Sequence, residues 1–244
     1  MTQRLDTHLV ALGAFPSRAR AQGAIRAGLV SVDGATAERP SMPVTPDSKI
    51  EVRGDVHDYV SRGGVKLEAA LDAFKLTPSG RICLDLGAST GGFSEVMLRR
   101  GAEKIYAVDV GSAQLHSRIA NDPRVVSLEK THARDLSPKL IPEPLDFIAC
   151  DVSFISARKA LPPALALSAP GACLVVLVKP QFEVGRSGLG KGGIVKPGLA
   201  APAADDAAKW IDAQTGWRSI GYIESPIEGG DGNTEFLLGA IRQP

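Results

Sequence analysis

Seven short apolar segments in the later three quarters of the chain constrain its fold more than any other feature. The segments are RICLDLG, KIYAVDVG, VVSLEK, LDFIACDV, ACLVVLVKP, WRSIGYIES and NTEFLLGAI. Stretches long enough for crossover helices separate the first five, and strands joined in that way pair in parallel. The short link PIEGGDG joins the last two and favours an antiparallel pair. We therefore predict an α/β fold: a doubly wound sheet, parallel with one antiparallel strand.

A small α+β domain is predicted before this sheet, over residues 1–53. The segment RLDTHLVALGAF would place Leu5, Leu9 and Leu12 on one face of a helix, and Ser17 can cap a second helix. A strand follows that turns at Asp33-Gly34, and KIEV closes the unit. The next residues are polar and contain glycine. We predict a linker over residues 54–60 and a second domain over residues 61–244.

Composition gives few functional signals. The chain of 244 residues is 44% hydrophobic and 23% charged, with a net charge of +1, which is typical of a soluble globular protein. Any nucleic-acid binding must therefore rest on local patterning. Three cysteines in apolar runs fit no metal site or complete disulfide framework. With no secretory signal pattern, we expect a cytoplasmic protein.

One charge-free stretch has the length of a membrane span. It covers residues 160–178, and a bilayer crossing needs about 20 apolar residues. Pro162-Pro163 and Pro170-Gly171 divide it. We interpret it as a helix start, a turn and a strand of the protein core.

A glycine-containing turn follows the first predicted strand of the sheet. DLGASTGGFSE supplies Gly87, Gly91 and Gly92, which let the backbone approach a ligand closely. Because Ser89 breaks the G-x-G-x-x-G spacing, a dinucleotide site is disfavoured. Asp109 ends the next strand, where a carboxylate can bind ribose hydroxyls. We favour a nucleoside cofactor without a pyrophosphate, S-adenosylmethionine. The alternative is an ordinary turn with Asp109 as a helix cap.

A second glycine-rich segment, GRSGLGKGG over residues 185–193, nearly matches a phosphate-binding loop. Gly192 stands where that motif needs a Ser or Thr for magnesium, and the following GIVKPG cannot open a helix directly. We interpret it as a mobile basic loop at the mouth of the site.

Four ionisable residues stand at strand or helix ends. Asp151 and Lys179 close strands, Glu235 lies in an apolar strand, and Lys66 opens a helix. Taken singly, each has an ordinary explanation: a surface ion pair, a helix cap or an exposed edge strand.

Together they resemble the Lys-Asp-Lys-Glu tetrad of the FtsJ-like ribose 2′-O-methyltransferases. The motifs SRGGVKL, DLGASTGGF, DVSFIS and VKPQFE, behind an N-terminal unit of the S-four RNA-binding type, resemble the TlyA family. Its members are rRNA cytidine 2′-O-methyltransferases, and some were first described as haemolysins. The resemblance implies a Rossmann-like methyltransferase sheet behind a small α+β RNA-binding domain.

The resemblance also implies site residues. The tetrad Lys66, Asp151, Lys179 and Glu235 would be catalytic. S-adenosylmethionine would contact Asp85, Gly87, Ser89, Gly91, Gly92, Phe93, Asp109 and His132. In the segment THARD, His132 departs from the family's Asn-x-Arg, although it can still donate one hydrogen bond.

The chemistry gives independent reasons for such a tetrad. A ribose 2′-hydroxyl is a poor nucleophile, so the enzyme must align it with the methyl group and take up its proton. Burial and a second cation near Lys179 would favour its neutral amine, which could orient or deprotonate the hydroxyl. Asp151 would position Lys179, while Lys66 and Glu235 would hold the ribose.

The expected partner is ribosomal RNA, in the 16S and/or 23S molecule, through phosphate contacts from basic residues. The candidates are Arg4, Arg18, Arg20, Arg26, Arg62, Arg186 and Lys191. DNA is excluded because it lacks the 2′-hydroxyl. Two alternatives from other classes are a membrane-lytic protein and a non-catalytic, RNA-binding ribosome assembly factor; a small-molecule methyltransferase would leave the first domain without a task. The sequence predicts no metal, no stable membrane association and no particular oligomeric state.

Overall fold

The computed structural model of the protein describes residues 2–15, 17–26, 28–52 and 59–243. The chain divides into two compact units, residues 1–58 and 59–244. Of the predicted linker over residues 54–60, residues 54–58 lie outside the described residues, as does residue 53 at the predicted end of the first domain. The predicted boundaries stay predictions.

The first unit is an α+β structure. Its described elements are β1 (Gln3–Arg4), α1 (Leu5–Ala11), α2 (Arg18–Arg26), β2 (Val30–Val32), β3 (Ala35–Thr36), β4 (Pro43–Val44) and β5 (Ile50–Val52). Strand β2 pairs antiparallel with β3 and β5, and β1 pairs antiparallel with β4. The β2–β3 hairpin turns at Asp33 and Gly34, both with positive φ, as the predicted Asp-Gly turn requires.

Leu5 and Leu9 are fully buried in the core of the first unit, but Leu12 is 61% exposed. The prediction that Leu12 shares their face is wrong, because α1 ends at Ala11 and the chain then turns at Gly13 with φ +72°. Leu12 therefore leaves the helical face before it can reach the core.

The described part of the second unit builds one seven-stranded sheet. Its strands are β6 (Ile82–Leu86), β7 (Lys104–Val108), β8 (Val125–Leu128), β9 (Leu145–Cys150), β10 (Ser168–Val178), β11 (Trp217–Glu224) and β12 (Phe236–Arg242). The order is β11-β12-β10-β9-β6-β7-β8. Strand β12 is antiparallel to both neighbours, and the other pairs are parallel. The predicted class and the single antiparallel strand are confirmed.

Helices cover both faces of this sheet. They are α3 (Gly63–Phe74), α4 (Gly92–Arg99), α5 (Ser117–Ala120), α6 (Ala157–Ala166), α7 (Pro180–Glu183) and α8 (Ala200–Asp212). One buried cluster includes residues of α6 and α8, and the other includes residues of α3 and α4. Neighbouring residues of one strand, such as Cys83 and Leu84, belong to opposite clusters, which explains the continuous apolar runs.

The charge-free stretch over residues 160–178 lies in the core, although its internal division differs from the prediction. Pro162 and Pro163 lie inside α6 rather than before it. Pro170 and Gly171 lie within β10, at an irregularity of its pairing with β9. Among the helices of the described ranges, none has the length and apolarity needed to cross a bilayer.

The strand order reverses at β6. From β6 the chain adds β7 and β8 on one side and then β9 on the other. In open α/β sheets ligands bind beyond the carboxyl ends of the strands at such a switch point. The ends of β6 and β9 are therefore where a site is expected.

Candidate active site

A cavity of about 230 Å³ lies at the carboxyl ends of β6 and β9. Its lining comes from residues 61–63 and Lys66, from residues 87–90, 92 and 93, and from Asp151. The first segment opens α3, the second is the glycine-containing turn after β6, and Asp151 directly follows β9. The sheet thus brings together segments far apart in sequence.

Glycine is required twice in the turn after β6. Gly87 has φ +89°, and a Cβ atom there would lie 2.5 Å from the carbonyl oxygen of Asp151. A Cβ atom at Gly92 would overlap the Ser61 hydroxyl. The backbone of the turn is therefore packed directly against the residues that follow β9 and those that precede α3. Residues of the same turn also line the cavity. Gly91, with φ +93°, caps α4.

Asp85 supports this turn from below. Its Oδ2 atom accepts hydrogen bonds from the Ser94 amide at 2.8 Å and the Ser94 hydroxyl at 2.6 Å. The side chain is fully buried, and burial, with a smaller effect of the Asp151 charge, raises its pKa to about 7. Its Oδ1 atom has no hydrogen-bond partner within the described residues. Asp85 does not line the cavity; it joins β6 to α4.

Asp109 and His132 lie along the same sheet edge, after β7 and β8, but do not line the cavity. Asp109 Oδ2 accepts from the Ser89 amide at 2.8 Å, and Oδ1 accepts from the Gly111 amide at 2.7 Å. The carboxylate thereby connects the turns after β6 and β7. His132 is exposed. Phe93 lines the cavity and is 3% exposed.

The first ion pair of the predicted tetrad joins neighbouring strands. Lys179 Nζ lies 2.6 Å from Asp151 Oδ1 and donates to the Ser153 hydroxyl at 2.7 Å. Because β9 and β10 are parallel neighbours, the residues that follow them emerge side by side. Asp151 and Lys179 therefore contact each other directly, and the expected neutral amine of Lys179 stays a prediction.

The second ion pair joins Lys66 of α3 to Glu235. Glu235 lies one residue before β12, an inner strand of the sheet. The exposed fractions of the two side chains are 10% and 3%, so a surface ion pair and an exposed edge strand are both excluded as explanations. Buried charges of this kind persist only when they are paired.

The two pairs meet at the cavity. Lys66 and Asp151 line it, and each forms an ion pair with a residue outside the lining, Glu235 and Lys179 respectively. The structure therefore brings all four predicted catalytic residues to one place, with two of them facing the open space.

An exposed aromatic residue on the loop after β9 was missed by sequence reasoning. Phe154, three residues after Asp151, is 92% exposed and has φ +66°, a conformation rare for a bulky residue. Its ring lies 5.5 Å from that of Phe182. Glu183 anchors the same loop by accepting from the Ser156 hydroxyl at 2.7 Å and the Ala157 amide at 2.9 Å. The motif DVSFIS contains Phe154, but no sequence pattern indicates its backbone conformation.

The predicted basic residues of the first unit differ in their environments. Arg4 and Arg18 both contact Asp6, a fully buried carboxylate that sequence reasoning also missed. Arg4 above all, with Gln22 and Arg18, holds the pKa of Asp6 well below its usual range. About half of each arginine side chain stays exposed. Arg26 is exposed, and the side chain of Arg20 lies outside the described residues.

The predicted basic residues of the second unit stand near the cavity or on one loop. Arg62 lines the cavity. Arg186 and Lys191 are exposed on residues 185–198, which we name the cationic loop. It contains the short 3₁₀ turns Arg186–Gly188 and Lys191–Gly193, and the next helix starts only at Ala200. It is therefore not a phosphate-binding loop of the NTPase type.

Comparison with known proteins assigns both parts of the chain. The family model described as FtsJ-like methyltransferase matches residues 59–242, and the S4 domain model, the S-four type, matches residues 3–50. The 16S/23S rRNA (cytidine-2′-O)-methyltransferase TlyA of Mycobacterium tuberculosis is 44% identical over 237 residues, which cover 96% of this chain and 88% of that protein.

Two further relatives carry a different name. Hemolysin A of Brachyspira hyodysenteriae is 39% identical, with 96% of this chain and 98% of that protein covered. A solved structure from Streptococcus thermophilus, also named as a hemolysin, superimposes with a TM-score of 0.77 at 38% identity. It covers 99% of this chain and 89% of its own.

Proposed function

The chain belongs to the FtsJ-like methyltransferase family, within its TlyA group, and on that premise we propose that it methylates the ribose 2′-hydroxyl of cytidine in ribosomal RNA. The methyl donor is S-adenosylmethionine. The observation that carries this proposal is the meeting of two ion pairs, Lys66–Glu235 and Lys179–Asp151, at one cavity beside a glycine-built turn. The 16S and 23S molecules named for the Mycobacterium tuberculosis relative are the proposed substrates.

The cavity and the neighbouring sheet edge offer residues for the parts of the cofactor. Gly87 and Gly92 add no side chain to the wall after β6, which lets a ligand approach the backbone there. Gly87, Ser89, Gly91, Gly92 and Phe93 would hold its amino-acid end, with Asp85 fixing the turn from behind. Asp109 would accept from the ribose hydroxyls, and His132 would approach the adenine side. When bound, the cofactor supplies an electrophilic methyl group.

The tetrad prepares the RNA hydroxyl for that group. Lys179, held by Asp151 and Ser153, would donate a hydrogen bond to the 2′-oxygen and direct a lone pair toward the methyl carbon. Asp151, which lines the cavity, would take up the hydroxyl proton as the oxygen–carbon bond forms and the carbon–sulfur bond breaks, with S-adenosylhomocysteine as the leaving group. Lys66, ion-paired with Glu235, would hold the ribose from its own place in the lining.

Phe154 offers a platform for the target base. A nucleotide in folded RNA must leave its stack before its ribose can enter a cavity, and aromatic side chains stabilise bases that are unstacked. Phe154 presents almost its whole ring to solvent on the loop that begins at Asp151. We assign it the role of stacking on the extruded cytosine.

The first unit would supply phosphate contacts. The exposed halves of Arg4 and Arg18, together with Arg26, would position the substrate without reading its sequence. Arg20, Arg62, Arg186 and Lys191 complete the proposed set of RNA-binding residues. A ribosomal substrate implies a cytoplasmic location.

The proposal is tested by incubating the protein with labelled S-adenosylmethionine and unmodified small and large ribosomal subunits. We expect label in the RNA of at least one subunit, lost in Lys179→Ala although that variant still binds the cofactor. RNA binding without any transfer would favour the assembly factor instead.

The hemolysin names of two relatives motivate the membrane-lytic alternative. Release of dye from liposomes by the purified protein, without cofactor, would support that alternative. Methyl transfer without dye release would exclude it for this chain.

A further inference from the structure

Asn233 lies between the cationic loop and the tetrad. It is 2% exposed and stands in the connection between β11 and β12, two residues before Glu235. Its Oδ1 atom accepts from the Val195 amide at 2.9 Å, and its Nδ2 atom donates to the Gly193 carbonyl at 3.2 Å. One buried amide side chain thus forms two hydrogen bonds with the backbone of the cationic loop, one to an amide and one to a carbonyl.

The backbone of Asn233 is equally fixed. Its amide donates to Asp231 Oδ1 at 3.2 Å, and its carbonyl accepts from the Gly229 amide at 2.9 Å. Asp231 also accepts from Gln181 at 3.1 Å, and Gln181 belongs to α7, directly after Lys179. Hydrogen bonds therefore connect Asn233 to the segment that follows Lys179, and the chain connects it to Glu235.

The cationic loop presents unpaired charge. It closes on itself through the Gly190 amide and Ile194 carbonyl at 2.7 Å and the Lys196 amide and Gly188 carbonyl at 3.0 Å. Arg186, Lys191 and Lys196 are exposed, and within the described ranges none of the three forms an ion pair with a carboxylate. Arg4 and Arg18, by contrast, share Asp6. Cations with no carboxylate partner are free to bind phosphate at no cost in broken pairs.

We infer that Asn233 is a positioning residue that places the three cations of the cationic loop for contact with the RNA backbone at a fixed distance from the Lys66–Glu235 pair. The inference rests on the proposed function and deepens it. It assigns substrate phosphate binding to the methyltransferase unit itself and names the side chain that aligns this binding with the tetrad.

The test compares Asn233→Ala with Asn121→Ala, a matched loss of an exposed amide at the end of α5. We expect Asn233→Ala to raise the KM for unmodified ribosomal subunits at least fivefold, with the cofactor Kd changed less than twofold. Asn121→Ala should change neither. If Asn233→Ala fails to fold, Asn233→Asp keeps the acceptor for Val195, sets an oxygen against the Gly193 carbonyl, and should raise the KM similarly.

A variant that lacks the three cations distinguishes a positioning role of Asn233 from a merely structural one. In Arg186→Ala/Lys191→Ala/Lys196→Ala the slope of log affinity against log salt should become shallower by about 2 to 3. Adding Asn233→Ala to that variant should change the KM less than twofold, because the cations that it positions are gone. An undiminished effect in this background, or an unchanged KM in the single variant, would overturn the inference.

RNA binding measured by filter retention distinguishes this inference from the proposed function. If the wild-type protein transfers no methyl group, the proposed function fails. The salt slopes of Asn233→Ala and wild type still decide the inference, since binding needs no transfer. A shallower slope in Asn233→Ala supports it, and identical slopes contradict it.

Discussion

At the scale of single residues, variants of the buried Lys66–Glu235 ion pair distinguish its effect on stability from its effect on methyl transfer. Removing one partner leaves the other charge buried and unpaired, so Glu235→Ala should lower the free energy of unfolding by about 3–5 kcal/mol. Replacing both, in Lys66→Met/Glu235→Met, should restore most of that stability and still abolish methyl transfer. Urea unfolding and a transfer assay on the three proteins check this. Activity in the double variant would show that the pair has no catalytic role.

Asp85 gives the unliganded protein a pH dependence of defined sign. Its folded pKa is about 7 against an ordinary value of 3.8, so between these values the folded state holds a proton that the unfolded state has released. Stability should therefore fall as pH rises from about 4 to 7, by up to about 1.4 kcal/mol per pH unit, and level off above. Asp85→Asn stays neutral and should lack this fall. Urea unfolding of both proteins at a series of pH values tests this. Identical pH profiles of the free energy of unfolding would contradict the pKa assigned to Asp85.

At the scale of elements, the loop between β9 and α6 carries a prediction about the target base. Phe154→Ala removes the exposed ring without opening a cavity, so cofactor Kd and thermal stability should stay at the wild-type level. Methyl transfer should drop about 5- to 150-fold, since stacking contributes about 1–3 kcal/mol per base, and Phe154→Trp should retain it. Ile220→Ala, a residue 40% exposed on β11, is the control. Equal activity in Phe154→Ala and wild type would contradict the stacking role proposed for Phe154.

Elements also show which parts of the site could be predicted from sequence. The strand ends were predictable because runs buried on both faces are continuously apolar, and parallel neighbours then bring Asp151 and Lys179 together. The Lys66–Glu235 pair joins residues 169 positions apart; only the family resemblance indicated that both belong to the site, and their ion pair was not predicted. Phe154 and Asp6 were missed since their importance lies in a backbone angle and in burial, which depend on tertiary packing.

At the scale of the whole molecule, the first unit is expected to bind RNA through arginines that differ in their effect on its stability. Arg26 is exposed and forms no ion pair with any residue that the structure describes, so Arg26→Ala should weaken RNA binding and lower the salt slope by about 1. Arg18→Ala should do the same and also destabilise the first unit, because Asp6 loses a partner. Filter binding at several salt concentrations, with thermal unfolding of each variant, checks both. Equal stability of the two variants would contradict the role given to Asp6.

The most direct test of the central claim is the chemical position of the transferred methyl group. RNA from unmodified ribosomal subunits, treated with the protein and S-adenosylmethionine, would be digested to nucleosides and analysed by mass spectrometry. The tetrad geometry predicts 2′-O-methylcytidine with the wild-type protein and none with Lys179→Ala. A methyl group on a base, or an equal yield from Lys179→Ala, would contradict the account.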